Sequence, residues 1–288
     1  MKERPFSDGL ISVIIPSFNS MSGNERIDRL LSSIVTQTYK NFEIIVVDNF
    51  SLDGVREVCE KFPVRFFQLK STIPEARNLG LEKARGEFFI FLDCDQVIPP
   101  KLFEECISLV RLKGAGCIVV EVKCISNEPQ KQKRFIDCAA MHDIEVRAGI
   151  GTTGTKLPLF YSSRVVRSER FPQKVQLGED FLFASRVIKK KPKVAKVNLR
   201  ILHCEDPTIR GVVIRSWHYG GAYITLQRHS REAYAFLHNI SVFDFGAIRR
   251  ILSILASKPK AAFPFSCYLL IKYMAFIMGY VNAKLSLR

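Results

Sequence analysis

Residues 88–92 (FFIFL) are an uninterrupted apolar run, with Glu87 on one side and Asp93 on the other. A run of that length bounded by polar residues fits a short strand covered on both faces, as in a parallel sheet, and such a strand obliges the flanking chain to supply covering helices. The preceding residues fit this. Good helix formers dominate from Glu75 to Ala84, Pro74 stands at a tolerated first-turn position, and Gly86 reads as a stop just past the end. Asp93 and Asp95 follow the strand at once, which places two carboxylates at the carboxyl edge of the sheet, where open α/β folds bind ligands. In an extended segment positions i and i+2 project to the same side, so the pair can approach one cation together. A bare D-x-D is common, and by itself its ordinary reading is a solvated turn.

The rest of the chain repeats the alternation. Residues 10–16 (LISVIIP) form a β-branched run leading into Pro16, Ser17, Phe18 and Asn19. From position 24 the spacing of Ile27, Leu30, Leu31, Ile34 and Val35 is helical. A second strand over 42–47 ends at Asp48, and a helix over 54–61 and a strand over 64–69 follow, the order of a doubly wound sheet. Beyond the aspartates the sequence predicts a helix over 101–112, a strand over 116–122, a polar stretch over 126–147 without strand signal, and a strand over 159–162. Gly178-Glu179-Asp180 opens another helix, whose bland reading is an acidic N-terminal cap, and a strand over 194–202 ends at His203. The chain has no G-x-G-x-x-G and no P-loop, which argues against a Rossmann dehydrogenase and a P-loop kinase. Residues 16–20 are neither Gly-rich nor basic, as a nucleotidyltransferase would need.

A net charge of +15 over 288 residues implies an anionic partner: nucleic acid, an acidic membrane or a phosphorylated substrate. No nucleic-acid module is recognisable, and the single tryptophan, Trp217, offers little for base stacking, so nucleic acid is not expected as a partner. The eight cysteines include no C-x-x-C pair and read as buried, reduced thiols, with Cys94 a spacer between the two aspartates. The charged N-terminus lacks the apolar core of a signal peptide, so the catalytic part is expected inside the cell.

The carboxyl-terminal part reads as a helix over 208–231 interrupted by Gly220-Gly221, an amphipathic helix over 243–256, and an apolar stretch over 261–281 broken only by Pro264 and Lys272. That last stretch is open to three readings: a transmembrane helix, an in-plane helix and a core helix. A central lysine costs about 2.5–3.5 kcal/mol on insertion scales, which weakens spanning. Flanking lysines and arginines, each worth about 1 kcal/mol beside an anionic leaflet, favour association with a membrane surface.

Ala76, Arg77, Asn78 and Gly80, then Ala84 and Gly86, then Leu92, Asp93 and Asp95, follow the pattern A-R-N-x-G, A-x-G, L-D-x-D. In this the chain resembles family 2 glycosyltransferases. The resemblance implies the α/β GT-A fold, a mostly parallel central sheet flanked by helices, over 1–205, with a basic helical extension over 206–260 and an apolar, membrane-associating helix over 261–288. It implies a UDP- or GDP-linked sugar donor, with Pro16, Ser17, Phe18 and Asn19 wrapping the nucleoside, Asp48 at the base, and Arg77, Asp93, Cys94 and Asp95 around the diphosphate. It further implies Mg²⁺ or Mn²⁺ held by Asp95, Asp93 and His203, and Asp180 as the general base of an inverting, one-step transfer. The acceptor would be a hydroxyl of a lipid-linked or cell-surface glycan, reached at the cytoplasmic face of the cell membrane. A polyprenyl phosphate acceptor, or a non-catalytic membrane adaptor on the same scaffold, are the alternatives. The segment VDNFSLDGV departs from the family's V-D-D-G-S at Asn49 and Phe50 and from its downstream D-x-T at Val55, and the Q-x-x-R-W motif of processive synthases is missing.

Overall fold

The three β-branched and aromatic runs become neighbouring strands in the computed structural model, which describes residues 7–21, 26–126, 136–148, 157–175, 178–206, 208–229 and 245–286. β1 (Ser7–Ser17) pairs in parallel with β2 (Phe42–Asp48) on one side and with the strand Gly86–Phe91 on the other. The latter is β4, because β3 (Val64–Gln68) intervenes in sequence and extends the sheet beyond β2, again in parallel. After β4 the direction changes. β5 is the short Gln96–Val97, β6 is Cys117–Ser126, β7 is Pro158–Ser162 and β8 is Val194–Glu205; β7 runs antiparallel to both β4 and β6. The order across the sheet is β3-β2-β1-β4-β7-β6-β8-β5, so the parallel architecture expected from the sequence holds for one half and the sheet as a whole is mixed.

Alternation along β1 shows why helices cover both faces. Ile11, Val13 and Ile15 point into one layer with Ile27, Leu30, Leu31 and Ile34 of α1 (Ile27–Val35). Ile14 points into the other, with Phe89, Phe91, Tyr161 and Phe183. The connecting helices are α2 (Val55–Cys59), α3 (Ile73–Lys83) and α4 (Leu102–Lys113), followed later by α6 (Ser163–Val166) and α7 (Glu179–Lys189). Gly86 is not the helix stop that the sequence suggested, since α3 ends at Lys83 and Gly86 opens β4. Its lack of a side chain matters for another reason: a Cβ there would stand 2.6 Å from the Leu10 carbonyl oxygen, so glycine lets β4 lie against β1.

The chain divides into two compact units that do not follow a single cut. The first holds residues 1–121, 156–173 and 179–202; the second holds 122–155, 174–178 and 203–288. The second unit therefore takes in α5 (Cys138–Ala148), from a stretch whose sequence carries no strong signal, besides α8 (Ile209–His229), α9 (Phe245–Ser257), a 3₁₀ turn Pro259–Ala261 and α10 (Ala262–Leu285). α8 is continuous, contrary to the interruption read at Gly220-Gly221. A Cβ on Gly220 would lie 2.0 Å from the Phe276 carbonyl oxygen, and one on Gly279 would lie 2.0 Å from that of Trp217. These glycines bring the backbones of α8 and α10 together and break neither helix.

All eight cysteines are free thiols, seven of them buried. Burial pushes the Cys59, Cys106 and Cys117 thiols up to about 12, so they behave as small apolar residues.

Candidate active site

Strand register decides which residues meet. Ser17 is level with Asp48 across β1 and β2, Ile14 is level with Phe91 across β1 and β4, and all three strands run the same way. The segments that leave them, beginning at Ser17, Asp48 and Leu92, thus emerge together at one carboxyl edge.

The first two of these segments are bonded to each other. Asn19, in the left-handed region at φ 50°, donates its backbone N–H to Ser51 Oγ at 2.7 Å and accepts the Leu52 N–H on its side-chain oxygen at 3.1 Å. The Met21 N–H reaches Asp53 Oδ2 at 2.7 Å. Ser17 is buried, with its hydroxyl on Ser20. Asp48 is buried as well, accepting from the backbone N–H and hydroxyl of Ser51 and from Gln68 Nε2, so its carboxylate holds the turn after β2 in shape. Phe18 and Phe50 remain more than half exposed on these linked loops, and Phe50 adopts φ 55°, where a non-glycine residue is strained. The loops thus offer apolar, aromatic surface at the sheet edge.

The third segment turns at once. The Gln96 N–H donates to the Asp93 carbonyl at 3.0 Å, and the Asp93 N–H donates to Gln96 Oε1 at 3.2 Å. Residues 93–96 are a tight turn and not a continuation of the strand, so the same-side argument for an extended D-x-D does not apply. Cys94 is buried, with its thiol on the Pro16 carbonyl at 3.3 Å, while its own carbonyl accepts the Arg26 N–H. These bonds fasten the turn to the end of β1 and to the residue that leads into α1.

α3 supplies the cation of the site. A capping box starts the helix, the Thr72 N–H donating to Glu75 Oε2 at 2.8 Å. Each residue of the following A-R-N-x-G run then has a separate task. Ala76 packs on Ile45 and Val47 of β2, and the Asn78 amide exchanges two hydrogen bonds with the backbone of Phe171, at 2.9 and 2.8 Å. A Cβ on Gly80 would be 2.3 Å from Ile14 Cγ2, so glycine lets the helix touch the sheet. The Arg77 side chain, 8% exposed, forks between Asp93 Oδ1 at 2.8 Å and Glu179 Oε1 at 3.0 Å and lies over the Phe171 ring.

Glu179 and Asp180 open α7, where acids are favoured by the helix N-terminus. Three carboxylates, on Asp93, Glu179 and Asp180, surround one guanidinium. Burial works against the charge of Arg77, but these three acids raise its pKa regardless. For Glu179, burial comes first and the charge of Asp180 second, and together they push the carboxyl up to about 7 against the pull of Arg77. The Asp180 carboxyl is raised too, by desolvation in the surrounding protein and by Asp93, opposed by Arg77 and by the Phe181 N–H that donates to it at 2.7 Å. The Asp180 residue as a whole keeps access to solvent.

Of the sequence-predicted residues, Arg77, Asp93 and Asp180 come together in one charged cluster. Pro16, Ser17, Asp48, Cys94 and Asp95 lie on the adjoining segments of the same edge. His203 falls in the second unit, near the end of β8. Sequence reasoning gave Glu179 no role of its own. Its pairing with Arg77 spans 102 positions, and the only local sign was its place beside Asp180. For a divalent cation the donor chemistry of the first unit fits: Asp93 and Asp95 present hard carboxylate oxygens, and the Asp93 side chain is 45% exposed. Among the described residues no three His, Cys, Asp or Glu side chains gather as a metal shell. Two carboxylates suffice for an ion that completes its shell with phosphate oxygens and water.

A sequence profile of glycosyl transferase family 2 matches residues 12–165, which include the ends of β1, β2 and β4, the turn at Asp93 and Asp95, and α3 with Arg77, but not Phe171, Glu179, Asp180 or His203. The chain is 29% identical over 117 residues to the glycosyltransferase GlyG of Streptococcus pneumoniae, which is 38% of each protein. It is 36% identical over 117 residues to the glycosyltransferase AglE of Haloferax volcanii, again 38% of each. It is also 26% identical over 187 residues, or 61% of this chain, to the poly(ribitol-phosphate) beta-N-acetylglucosaminyltransferase TarS of Staphylococcus aureus, of which that is 32%. The matched region thus spans well under half of these relatives. Two solved structures share the fold: S. aureus TarS 1-349 in complex with UDP, with a TM-score of 0.54 at 20% identity, covering 80% of this chain and 69% of that one; and a mannosyltransferase from Pyrobaculum calidifontis in complex with GDP-Man and Mn²⁺, with a TM-score of 0.56 at 18% identity, covering 98% and 88%.

Proposed function

The chain belongs to glycosyl transferase family 2 and has the GT-A fold, and from that premise we propose that it transfers a sugar, with inversion, from a UDP- or GDP-linked donor to a hydroxyl of a lipid-linked or cell-surface glycan at the cytoplasmic face of a membrane. The observation that carries this reading is the cluster of Arg77, Asp93, Glu179 and Asp180 at the carboxyl edge of β1, β2 and β4. Phe18, Asn19 and the turn held by Asp48 receive the nucleoside. Arg77 acts through the carboxylates, fixing Asp93 on one side and the start of α7 on the other. Mg²⁺ or Mn²⁺, held by Asp95 and Asp93, supplies positive charge opposite the diphosphate when bound. Asp180 takes the proton of the acceptor hydroxyl as its oxygen bonds to the anomeric carbon, and the bond to the diphosphate breaks with its electron pair leaving on the phosphate oxygen. A carboxylate whose pKa is raised is a better base for this near neutral pH than an ordinary one. GlyG, AglE and TarS are glycosyltransferases by name, and of the two solved complexes one holds UDP and the other GDP-Man, which supports the donor class.

The test is transfer from a panel of UDP- and GDP-sugars with Mg²⁺ or Mn²⁺. Asp180→Asn is expected to lower kcat by about 10²–10⁴-fold while nucleotide binding survives, and Asp95→Ala to lower both binding and turnover. Wild-type transfer by both variants would sink the mechanism. Loss in Asp95→Ala with full activity in Asp180→Asn would point to an acceptor already ionised, such as a polyprenyl phosphate.

A further inference from the structure

α10 has two unlike faces. On one, Phe265, Tyr268 and Ala275 are buried in the second unit, and Gly279 lies against the backbone of α8. Lys272, on the same face, places its ammonium 2.9 and 2.7 Å from the two oxygens of Glu145 on α5, whose side chain is wholly buried and also accepts the Tyr268 hydroxyl at 2.8 Å. The lysine that interrupts the apolar stretch in sequence is therefore an internal ion-pair partner. On the opposite face Phe263, Leu270, Met274, Ile277, Met278 and Val281 are each 46–68% exposed. Their spacing by three, four and seven keeps them within a single stripe, about 27 Å long at 1.5 Å per residue.

Charge says what covers this stripe. Residues 245–288 contain seven lysines and arginines and no aspartate or glutamate. Arg249, Arg250, Lys258, Lys260 and Lys284 are all exposed. A second copy docking through this face in a two-fold manner would set cations against cations. Crossing a bilayer would carry the Lys272–Glu145 pair into the hydrocarbon together with α8, which bears Arg210 and Arg215, or would strip Lys272 from its partner.

We propose that α10 lies along an anionic lipid surface and does not cross it, its exposed apolar stripe seated at the acyl boundary and the basic side chains of α9, the 3₁₀ turn and the end of α10 among the headgroups. This rests on the membrane association proposed above and is independent of the transfer chemistry. The Lys272–Glu145 pair and the glycine contacts hold α10 to the second unit, so that the catalytic chain is held at the surface by a helix that remains part of its fold.

Flotation of the full chain with vesicles tests it. The protein is expected to float with phosphatidylcholine vesicles containing an equal share of phosphatidylglycerol, to stay behind with phosphatidylcholine alone, and to be released by alkaline carbonate. Leu270→Asp combined with Ile277→Asp should reduce flotation by more than about tenfold. These positions are exposed, so the melting temperature and nucleotide-sugar hydrolysis should be unchanged. Lys258→Glu with Lys260→Glu, which touches no apolar contact, should weaken binding to the anionic vesicles by about tenfold or more. Carbonate-resistant insertion would overturn the in-plane arrangement in favour of spanning. Undiminished flotation of the stripe variant overturns the stripe, and if that variant also converts a dimer to a monomer in sedimentation, the face is a self-association surface. Failure of the unsubstituted chain to float overturns the association itself, while intact donor hydrolysis in the same preparation leaves the transferase reading standing.

Discussion

At Arg77 one buried cation faces three acids, and the balance between them makes the ionisation of Glu179 and Asp180 depend on this residue. Glu179 ionises more reluctantly in the folded chain than in the unfolded one, so its ionisation subtracts stability as pH rises from the ordinary carboxylate range to about 7. Arg77 limits that loss. Arg77→Met removes the limit, so the variant should be only slightly less stable than the parent near about pH 5, with a deficit that grows by about 1.4 kcal/mol per pH unit above about pH 7 as Glu179 stays protonated in the folded variant. Chemical denaturation across this range reads the difference directly, and a deficit independent of pH would mean that Arg77 contributes packing over Phe171 and not charge balance. The same substitution removes the influence that lowers the Asp180 pKa, so the acid limb of kcat/KM should move to higher pH in whatever activity remains. Arginine in an A-R-N-x-G run marks itself in sequence, and so do the two aspartates after the strand. Its second carboxylate does not, because the pairing of Arg77 with Glu179 exists only once α3 and α7 pack on the same face of the sheet.

Elements of the first unit were legible because β-branched and aromatic runs alternate with helical spacing, and Ser17, Asp48, Gln68 and Asp93 mark where the apolar patterns of β1 to β4 stop. Direction was less so: nothing local to residues 158–162 says that β7 pairs antiparallel to β4. Glycines were misread where a local rule was applied to a tertiary contact, as at Gly86 and Gly220, both of which sit where another backbone approaches. The same reasoning gives a prediction for α3 on β1. With a methyl group at Gly80 built 2.3 Å from Ile14 Cγ2, a β-branched side chain held in the core beside Phe91, the helix or the strand has to move. Gly80→Ala should therefore destabilise the protein by about 1–3 kcal/mol although alanine has the higher helix propensity. Ile14→Ala in the same chain removes the Cγ2 methyl that the new side chain meets, so the double mutant should lose less than the sum of the two single variants, measured as the coupling in a double-mutant cycle. Additive effects of the two substitutions would show that α3 accommodates the methyl group without touching β1.

For the whole molecule, two compact units interleave along the chain, residues 122–155 and 174–178 grouping with 203–288. The sequence could not reveal this, because α5 is short and of mixed polarity and has its partners more than a hundred positions away. Cys138, Met141 and Ile144 of α5 pack with Phe265 and Tyr268 of α10, and Glu145 depends on Lys272 for its charge. Burial alone would raise the Glu145 carboxyl, yet Lys272 and His142 pull it down to about 2, so the residue is a carboxylate throughout the neutral range. A chain shortened to end at Asp244 consequently loses more than its lipid-facing helix. It exposes the apolar face of α5 and leaves Glu145 without its cation, a change expected to cost about 3–5 kcal/mol from the ion pair alone. Such a chain should form aggregates in size-exclusion chromatography and lose most nucleotide-sugar hydrolysis even with soluble substrates. In the full-length chain, Lys272→Met should reproduce the ion-pair part of the loss, and adding Glu145→Gln should restore some of it by removing the stranded charge. A monodisperse, fully active chain ending at Asp244 would show that α10 is a dispensable anchor. Aggregation, with partial rescue by the paired substitution, would show that the same helix completes the core of the second unit.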